Sequence, residues 1–592
     1  MNAHWDLTRL YPDDKAYEND LEKLKKEISL LPQYKGKLAE DDKLSEYFDL
    51  QIELELLVNR LYAYAASKAD LNRKDVDDVS RESELVLLLR QLESSSSFFE
   101  PEILALGKDH MDSYFQRNKD YDQFDFQIRK LFDRESHVLT DDKERLLSDF
   151  AAFHDVGDNL YSTLSVGDYR PKKAHLSDGR EVEVTTANWT TLIAEEKKAE
   201  DRKSIFEALY LYYDEHKNTY AEIYSFLLQS QLAEMKARGY SSILEEHLDK
   251  NKIPTSVFLN LIEVAHEGTK PLQKYYELRR RSLHLEKHRS YDRFLSLTES
   301  KKKVTYEESK EMFFHSIEKF PKDFQDKARK VTMDGMVDVY PQEGKTTGAY
   351  SRGGGGLEPM ILLNFQGTLE DVFTLAHESG HSIHTLYSDE NQPLMKQNYT
   401  IFVAEIASTF NEHNLLDDLL EREDLTRDDR ISLLQKAIDE ICGTFYRQTL
   451  FAEFEYLASK KAERGEAISY QVLNDIMAKL YKEYYGIDIT EEVYKPLVWC
   501  YIPHLYGTPF YVYQYATSFS ASLELYSRVK KKEDHAFEDY LSLLSQGGSD
   551  YPIYEVQKAG VDLTTKEPFV AVVRRMEELV DRLEKELDSK ND

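Results

Sequence analysis

Most of the chain alternates apolar and charged residues at the spacing of an amphipathic helix. Residues 13–155 repeat this pattern with few glycines, as in LSEYFDLQIELELLVNRLYAY. The pattern returns in SIFEALYLYYDEHKNTYAEIYSFLLQSQLAEM and again between residues 424 and 480. The last segment, VAVVRRMEELVDRLEKELDSKND, has the form of a terminal amphipathic helix that ends in charged residues. A mainly α-helical fold is therefore predicted.

Two short segments depart from the helical pattern and predict β structure. Residues 171–186 contain Asp178-Gly179, a strong turn dipeptide, between β-forming residues, which predicts a hairpin. The run MILLNF, residues 360–365, predicts a short buried strand. A strand at this place can pair with an extended peptide through main-chain hydrogen bonds.

The length of the chain requires more than one hydrophobic core. At 592 residues it exceeds what a single core usually supports, so at least two subdomains are expected. The predicted boundary follows the hairpin. It separates an N-terminal helical domain, residues 1–190, from a larger second domain, residues 191–592.

Charge and cysteine content limit the expected partners and compartment. With 77 basic and 109 acidic residues the net charge is −32, which repels nucleic-acid phosphates and anionic membranes. No apolar run approaches the length of a membrane span. Cys442 and Cys500 are the only cysteines, and the N-terminus lacks the basic and apolar regions of a secretory signal. We therefore expect a cytoplasmic protein that binds neither nucleic acid nor membrane.

A His-Glu-x-x-His pentad carries the most specific chemistry in the chain. His377, Glu378 and His381 stand in TLAHESGHSIH. Histidines four apart project from the same face of a helix, so both imidazoles can bind one zinc ion. The glutamate between them then lies beside the zinc-bound water and can take its proton. A chain with 17 histidines can also contain the pentad by chance, so its surroundings must decide.

The residues around the pentad favour a helix. Thr368 and Asp371 form an approximate capping box, and no proline interrupts residues 368–387. Gly380 indicates that another backbone approaches closely, either a substrate or a neighbouring helix. His384 lies about 10 Å along the helix axis from the first histidine, too far for all three histidines to bind one ion. We expect it to support a ligand from behind or to contact substrate.

A third metal ligand is expected downstream, because catalytic zinc usually has three protein ligands. In FVAEIASTFNEHNLL, Glu405, Ser408 and Glu412 share one helical face among small and apolar residues. Carboxylates are costly to bury there unless they are paired or bind metal. We assign Glu405 to zinc and expect Glu412 to accept a hydrogen bond from a ligating histidine. The alternative is that both glutamates lie on a solvated helix face.

These motifs resemble the thimet oligopeptidase family of zinc metallopeptidases, and most of all its oligoendopeptidase F branch. The likeness rests on HESGH followed by AEIASTFNE, and it extends through LSDGREVEVTT, GKTTGAYS, ILLNF and HLYGTPFYVYQYATS. The resemblance implies one Zn²⁺ per chain on His377, His381 and Glu405, with Glu378 as general base. It also implies cytoplasmic cleavage of short peptides by a mainly α, two-lobed body of many helices that encloses a deep channel, with a small β element beside the zinc helix.

The segment from Tyr501 to Ser518 resembles the part of this family that supplies a histidine and a tyrosine to the substrate carbonyl and the oxyanion. His504 matches the histidine. The tyrosine stays open among Tyr511, Tyr513 and Tyr515, and Tyr515 is the first choice because it precedes Ala-Thr-Ser. A phenol and an imidazole can each donate a hydrogen bond to the developing oxyanion. The alternative is an ordinary aromatic core segment.

The resulting prediction is a zinc-dependent endopeptidase that hydrolyses internal bonds of short oligopeptides, with a zinc-bound water activated by Glu378. Residues 191–592 form the catalytic domain in this interpretation. One alternative is a zinc exopeptidase of carboxypeptidase or aminopeptidase type, which needs a fixed charge to anchor a peptide terminus. A second alternative is a helical peptide-binding scaffold with an inactive site, which zinc analysis would identify. The oligomeric state and the cleavage preference are left open.

Overall fold

The computed structural model describes residues 3–139, 143, 147, 156–298 and 302–589. The chain divides into two compact units, each assembled from three separate stretches. The first unit contains Met1–Ser136, Lys302–Glu421 and Leu525–Val561, and the second contains His137–Lys301, Arg422–Glu524 and Asp562–Asp592. Neighbours within a unit therefore often come from distant parts of the sequence.

The compact units do not follow the single boundary expected near residue 190. Residues 1–190 contribute to both units, and so do residues 191–592. Compactness and independent folding are different properties, because a segment that folds alone can still pack within a larger unit. The two proposed domains therefore stay a prediction about which segments fold independently.

Helices dominate both units, and the predicted mainly helical fold is confirmed. In the first unit they are Asp14–Leu30, Asp41–Leu71, Val76–Ser96, Phe99–Leu106, Lys108–Arg117, Asp125–Asp133, Tyr306–Ser316, Lys322–Val331, Leu369–Asn391, Ile401–Leu420, Ala536–Leu544 and Pro552–Lys558. In the second they are Val156–Ser162, Trp189–Glu195, Ala199–Arg238, Ile243–Asp249, Thr255–Glu267, Thr269–Ser282, Arg427–Ile441, Arg447–Glu463, Tyr470–Tyr485, His504–Gly507 and Glu567–Asp588, and Tyr513–Lys530 contains residues of both units. Across the described residues, no helix combines the length and apolarity that a membrane crossing requires.

A β-hairpin in the second unit consists of β1, Lys172–His175, and β2, Glu181–Val184. The strands are antiparallel, and the first residue of β1 lies opposite the last residue of β2. Gly179 in the connecting turn has a φ of +89°, a backbone conformation that favours glycine over other residues. The predicted hairpin around the Asp-Gly dipeptide is confirmed.

A three-stranded sheet in the first unit lies against the helix that contains the pentad. Its strands are β3, Val337–Asp338, β4, Tyr350–Arg352, and β5, Met360–Leu362, in the order β3-β5-β4. The strand predicted in residues 360–365 is confirmed for its first half. It has a neighbouring strand on both sides, so the expectation that it pairs with a peptide does not hold. Within the described residues, β4 provides the open edge beside this helix.

Buried polar contacts fasten this sheet to the N-terminal segment and to the connection between β3 and β4. Trp5 Nε1 donates to the carbonyl oxygen of Ile361 in β5 at 2.8 Å. Lys345 Nζ donates to the buried Asp338 carboxylate at 2.6 Å and to the carbonyl oxygen of Tyr340 at 2.7 Å. A buried ion pair persists when further hydrogen bonds satisfy its charges. The sheet therefore has a defined position within its unit.

Candidate active site

The pentad lies in the middle of the helix Leu369–Asn391, which we name the HExxH helix. The predicted capping box is present at its start. Asp371 N–H donates to Thr368 Oγ1 at 3.3 Å, and Thr368 N–H donates to the Asp371 carboxylate at 2.7 Å. These bonds satisfy backbone donors that a helix N-terminus otherwise leaves unpaired. The predicted helix is confirmed.

A second helix, Ile401–Leu420, crosses the HExxH helix closely, and we name it the Glu405 helix. A Cβ atom at Gly380 would lie 2.6 Å from the carbonyl oxygen of Ala407, which is too close for any side chain. Asn411 Nδ2 donates to the carbonyl oxygen of Ala376 at 3.1 Å and ties the two helices together. Of the two reasons expected for Gly380, the neighbouring helix is therefore the correct one.

The crossing brings together three atoms that can bind a metal ion. His377 Nε2 and His381 Nε2 lie 3.2 Å apart, and Glu405 Oε2 lies 3.5 and 3.6 Å from them. A tetrahedral zinc ion with bonds of about 2.0 to 2.1 Å holds its ligand atoms about 3.3 to 3.4 Å apart. These three atoms, named the donor triangle, therefore fit one such ion. Two histidines and one glutamate are also a known ligand set of catalytic zinc.

Neighbouring polar groups orient the side chains of the donor triangle. His377 Nδ1 donates to Glu412 Oε1 at 2.5 Å, which is the contact predicted for Glu412. Ser408 Oγ donates to Glu405 Oε2 at 3.0 Å. The backbone of Ala404 also lies near the second histidine of the pentad and raises its pKa. Hydrogen bonds of this kind fix the ring orientation and tautomer of a metal-binding histidine.

The two imidazoles differ in their preference for a proton. Burial lowers the pKa of His377, but the hydrogen bond and charge of Glu412, together with other nearby carboxylates, raise it to about 9. Burial and the positive charge of His377 lower the pKa of His381. A cation at the donor triangle would displace the proton, because an imidazole nitrogen that binds metal must be unprotonated.

Glu378 is a buried carboxyl beside the donor triangle and exposes 6% of its surface. Burial is the largest influence and raises its pKa. The charge of His377 and the Ser351 backbone lower the pKa, whereas nearby carboxylates raise it further. Together these influences give Glu378 a pKa of about 7. A carboxyl with such a pKa can both accept and release a proton near neutral pH.

His384 stacks on Tyr399, with ring centroids 3.7 Å apart. Burial lowers its pKa to about 3, so the ring is neutral. Its nitrogens are not part of the donor triangle, and within the described residues neither nitrogen has a hydrogen-bond partner. A role in supporting a ligand or contacting substrate stays a prediction for His384.

The structure separates the candidate tyrosines of the C-terminal segment. The rings of His504, Tyr511 and Tyr515 form one cluster, with centroids 5.6 to 6.2 Å apart. Tyr513 instead packs against Phe258 with a centroid distance of 5.5 Å and exposes only 3% of its surface. Burial raises the pKa of Tyr513. Tyr513 is therefore an ordinary core aromatic residue, as the alternative interpretation expected, whereas Tyr511 and Tyr515 are half-buried.

Two contacts near the candidate residues were not expected from the sequence. Ser351 Oγ of β4 lies 2.8 Å from Ser382 Oγ of the HExxH helix. Phe510 N–H donates to Glu455 Oε1 at 2.8 Å, just before Tyr511. The sequence feature that could have identified Ser351 is the segment GKTTGAYS, which ends with this serine. The signal for Glu455 was a carboxylate among the apolar residues of FAEFEYLAS.

A helix with a His-Glu-x-x-His pentad that meets a glutamate from a second helix defines a metallopeptidase site. Comparison with known protein families agrees with this class. The family described as Peptidase family M3 matches residues 192–575, and the one described as Oligopeptidase F matches residues 102–170. The chain belongs to peptidase family M3, and it is a metalloendopeptidase. The predicted resemblance is confirmed at the level of this family.

Individual relatives match over almost the whole chain. Oligopeptidase PepF of Bacillus subtilis (strain 168) is 33% identical over 582 residues, which cover 98% of this chain and 86% of that protein. A solved structure from Chlamydophila abortus has a TM-score of 0.88 and 30% identity, and the match covers 99% of this chain and 98% of the other. The crystal structure of oligoendopeptidase-F from Enterococcus faecium has a TM-score of 0.76 and 27% identity, with 98% and 100% covered.

Proposed function

We propose that this protein is a zinc-dependent oligopeptidase of the oligoendopeptidase F branch, which cuts internal bonds of short peptides in the cytoplasm. The donor triangle is the observation that carries the proposal, since its spacing fits one tetrahedral ion. Relatives named oligopeptidase and oligoendopeptidase support short peptides as substrates. Two buried free cysteines, Cys442 and Cys500, support a reducing compartment.

His377, His381 and Glu405 would hold one Zn²⁺ per chain. When bound, the ion supplies Lewis acidity, which lowers the pKa of water and polarises the peptide carbonyl. Glu412 and Ser408 keep the donor atoms directed at one point through the hydrogen bonds described above. The same donor set binds several first-row metals, so the preference for zinc is part of the proposal.

Glu378 is the proposed general base. It takes a proton from the attacking water and later delivers this proton to the leaving amine. A pKa raised by burial supports this role, because the carboxylate must accept a proton and give it up again within one turnover. Its position next to His377 supports the assignment as well.

His504 and one tyrosine would donate hydrogen bonds to the oxyanion. Tyr515 remains the first choice, and Tyr511 is the second because both share a ring cluster with His504. The burial of Tyr513 against Phe258 argues against the third candidate. β4 is an edge strand beside the HExxH helix, and main-chain carbonyl oxygens that face away from β5 would accept hydrogen bonds from an extended peptide, a form of pairing that accommodates many side chains.

The decisive experiment incubates metal-loaded protein with a mixed peptide library and identifies the products by mass. Internal cuts confined to the shorter members would support the proposal, and Glu378→Gln provides the inactive control. Stepwise removal of residues from one terminus would identify an exopeptidase instead. A protein without metal and without products would be a peptide-binding scaffold.

A further inference from the structure

Asp70 is a buried carboxylate of the first unit and exposes 2% of its surface. Its Oδ2 accepts hydrogen bonds from Tyr350 Oη and Arg352 Nη2, both at 2.6 Å. Its Oδ1 accepts from Thr346 Oγ1 at 2.8 Å and from the Arg73 guanidinium. Four donors satisfy the two oxygens, and this offsets the cost of burying the charge.

The contacts with Asp70 use one face of β4. Successive side chains of a strand point to opposite faces, so Tyr350 and Arg352 share a face and Ser351 lies on the other. Tyr350 and Arg352 bind Asp70, whereas Ser351 Oγ lies 2.8 Å from Ser382 Oγ of the HExxH helix. β4 is therefore held between Asp70 and the HExxH helix.

Backbone hydrogen bonds define the direction of the Ser351 amide. Ser351 lies opposite Ile361 in the antiparallel pair of β4 and β5. Ile361 N–H donates to the carbonyl oxygen of Met336 at 2.8 Å, on the far side of β5. The two opposed residues thus form a non-hydrogen-bonded pair. Ser351 N–H points away from β5, and it lies near enough to the Glu378 carboxyl to lower its pKa.

A carboxylate suits the position of Asp70 better than an amide. Burial raises the pKa of Asp70, but hydrogen bonds from Tyr350, Arg352 and Thr346 outweigh burial and hold the pKa below its usual range. An asparagine has one acceptor oxygen and would present an N–H donor to one pair of these donors. Asp70→Asn therefore breaks the contacts with almost no change in side-chain volume.

We propose that Asp70 is a positioning residue for catalysis, which holds β4 so that Ser351 N–H orients the Glu378 carboxylate. This inference rests on the proposed role of Glu378 as general base. Asp70 acts through β4 and touches no reacting atom. A misplaced base slows the chemical step more than it weakens substrate binding, so loss of Asp70 lowers kcat more than it changes KM.

The test compares Asp70→Asn with Asp292→Asn by measuring kcat, KM and metal content with a short peptide. Asp292 is a matched control because it is 2% exposed and accepts from Arg202 Nε at 2.8 Å within the second unit. We expect kcat of D70N to fall roughly 10- to 100-fold with KM and metal content nearly unchanged. We expect kcat of D292N to stay within about threefold of the wild type.

Local hydrogen exchange separates positioning from general stability. Amides in residues 349–353 should exchange faster in D70N than in the wild type and D292N, because β4 loses its contacts on one face. Tyr350→Phe removes one hydrogen bond and keeps the Arg352 ion pair, so kcat should fall about fivefold. This variant decides the question if D70N does not fold.

Wild-type kcat in folded D70N, or in Y350F when D70N does not fold, would overturn the inference. Unchanged exchange at β4 in an inactive D70N would overturn it too. Glu378→Gln distinguishes this failure from failure of the proposed function. Full turnover in E378Q refutes the general base itself, whereas an inactive E378Q beside a fully active D70N refutes only the role of Asp70.

Discussion

Two regions of the molecule place their candidate residues in different ways. One is the helix crossing at the donor triangle, and the other is the segment from His504 to Tyr515. In the crossing, every candidate belongs to a regular helix, and its direction follows from the helical period. In the segment, one short helix ends at Gly507, Phe510 adopts a φ of +53°, and a new helix begins at Tyr513. In a regular helix, the spacing of residues in the sequence predicts which side chains share a face. In an irregular turn, the side-chain positions depend on tertiary contacts.

A buried carboxyl group holds the irregular turn. Glu455 exposes 2% of its surface, and its Oε1 accepts from Phe510 N–H at 2.8 Å. A non-glycine residue with positive φ costs about 1 to 3 kcal/mol, and the conformation persists only where its surroundings enforce it. We therefore expect the helix crossing to lose function when a metal-binding side chain is removed. We expect the segment from His504 to Tyr515 to lose function when the turn at Phe510 changes its conformation.

The largest expected effect concerns the donor triangle. Glu405→Ala should abolish both metal binding and peptide hydrolysis, because it removes one of three donors. Metal content per chain and turnover of a short peptide measure this effect. Glu421→Ala, an exposed glutamate just after the same helix, should keep both. Unchanged metal stoichiometry in E405A would place the third ligand elsewhere.

The next effect separates chemistry from metal binding within the crossing. Glu378→Gln should lower kcat roughly 100- to 10,000-fold and retain the metal, since it removes only the proton acceptor. Steady-state kinetics and metal analysis on the same sample measure both quantities. Glu370→Gln, an exposed glutamate of the same helix, is the matched control. Full turnover of metal-loaded E378Q would exclude Glu378 as the base.

The next prediction concerns the candidate tyrosines in the segment from His504 to Tyr515. Tyr515→Phe should lower kcat roughly 100- to 1000-fold if Tyr515 is the oxyanion donor, because loss of one such donor costs this much. Tyr511→Phe is the parallel experiment. Tyr513→Phe should change kcat little, because that ring lies in the core. A large loss in Y513F alone would contradict the assignment of the ring cluster.

A smaller effect is expected when the turn loses its acceptor. Glu455→Ala should lower kcat about tenfold without changing metal content, because the Phe510 turn relaxes and moves Tyr511. Glu455→Gln keeps a carbonyl acceptor for Phe510 N–H and should remain close to the wild type. Equal kcat values for E455A and E455Q would show that the hydrogen bond does not position the segment.

The last prediction concerns stability instead of turnover, and it is a dependence on pH. Burial raises the pKa of Glu455 from 4.5 to about 8, so the folded protein binds a proton that the unfolded chain has released. Stability of the wild type relative to E455Q therefore falls as pH rises from about 4.5 to about 8. Thermal unfolding of both proteins across this range measures the difference. A Tm difference that is independent of pH would contradict the shift.

Much of the first region was predictable, because its information is local. The capping box at Thr368, the common face of the two pentad histidines and the need for close contact at Gly380 all follow from residues a few positions apart. The contact between Glu412 and His377 required one further assumption, that the two helices meet. The sequence could not show which of the two expected neighbours, substrate or helix, explained Gly380.

The second region and β4 were less predictable, because their contacts join distant residues. The strand in residues 360–365 was expected, but its central place in the sheet depends on β3 and β4, which have only two and three residues. Asp70 contacts residues about 280 positions away. No periodic pattern in the sequence encodes such a contact. Tyr511, Tyr513 and Tyr515 occupy every second position, so the sequence does not show which of these tyrosines is buried in the core and which lie beside His504.

By itself the sequence determined the helical class, the hairpin, and the set of side chains able to bind one metal ion, since helix periodicity, capping and turn chemistry act over a few residues. Only the tertiary structure decided which strand has an open edge, which tyrosine is buried, and which stretches of chain form each compact unit. Those features depend on packing between residues far apart in the chain, where burial and hydrogen bonding select one arrangement among many that local preferences allow.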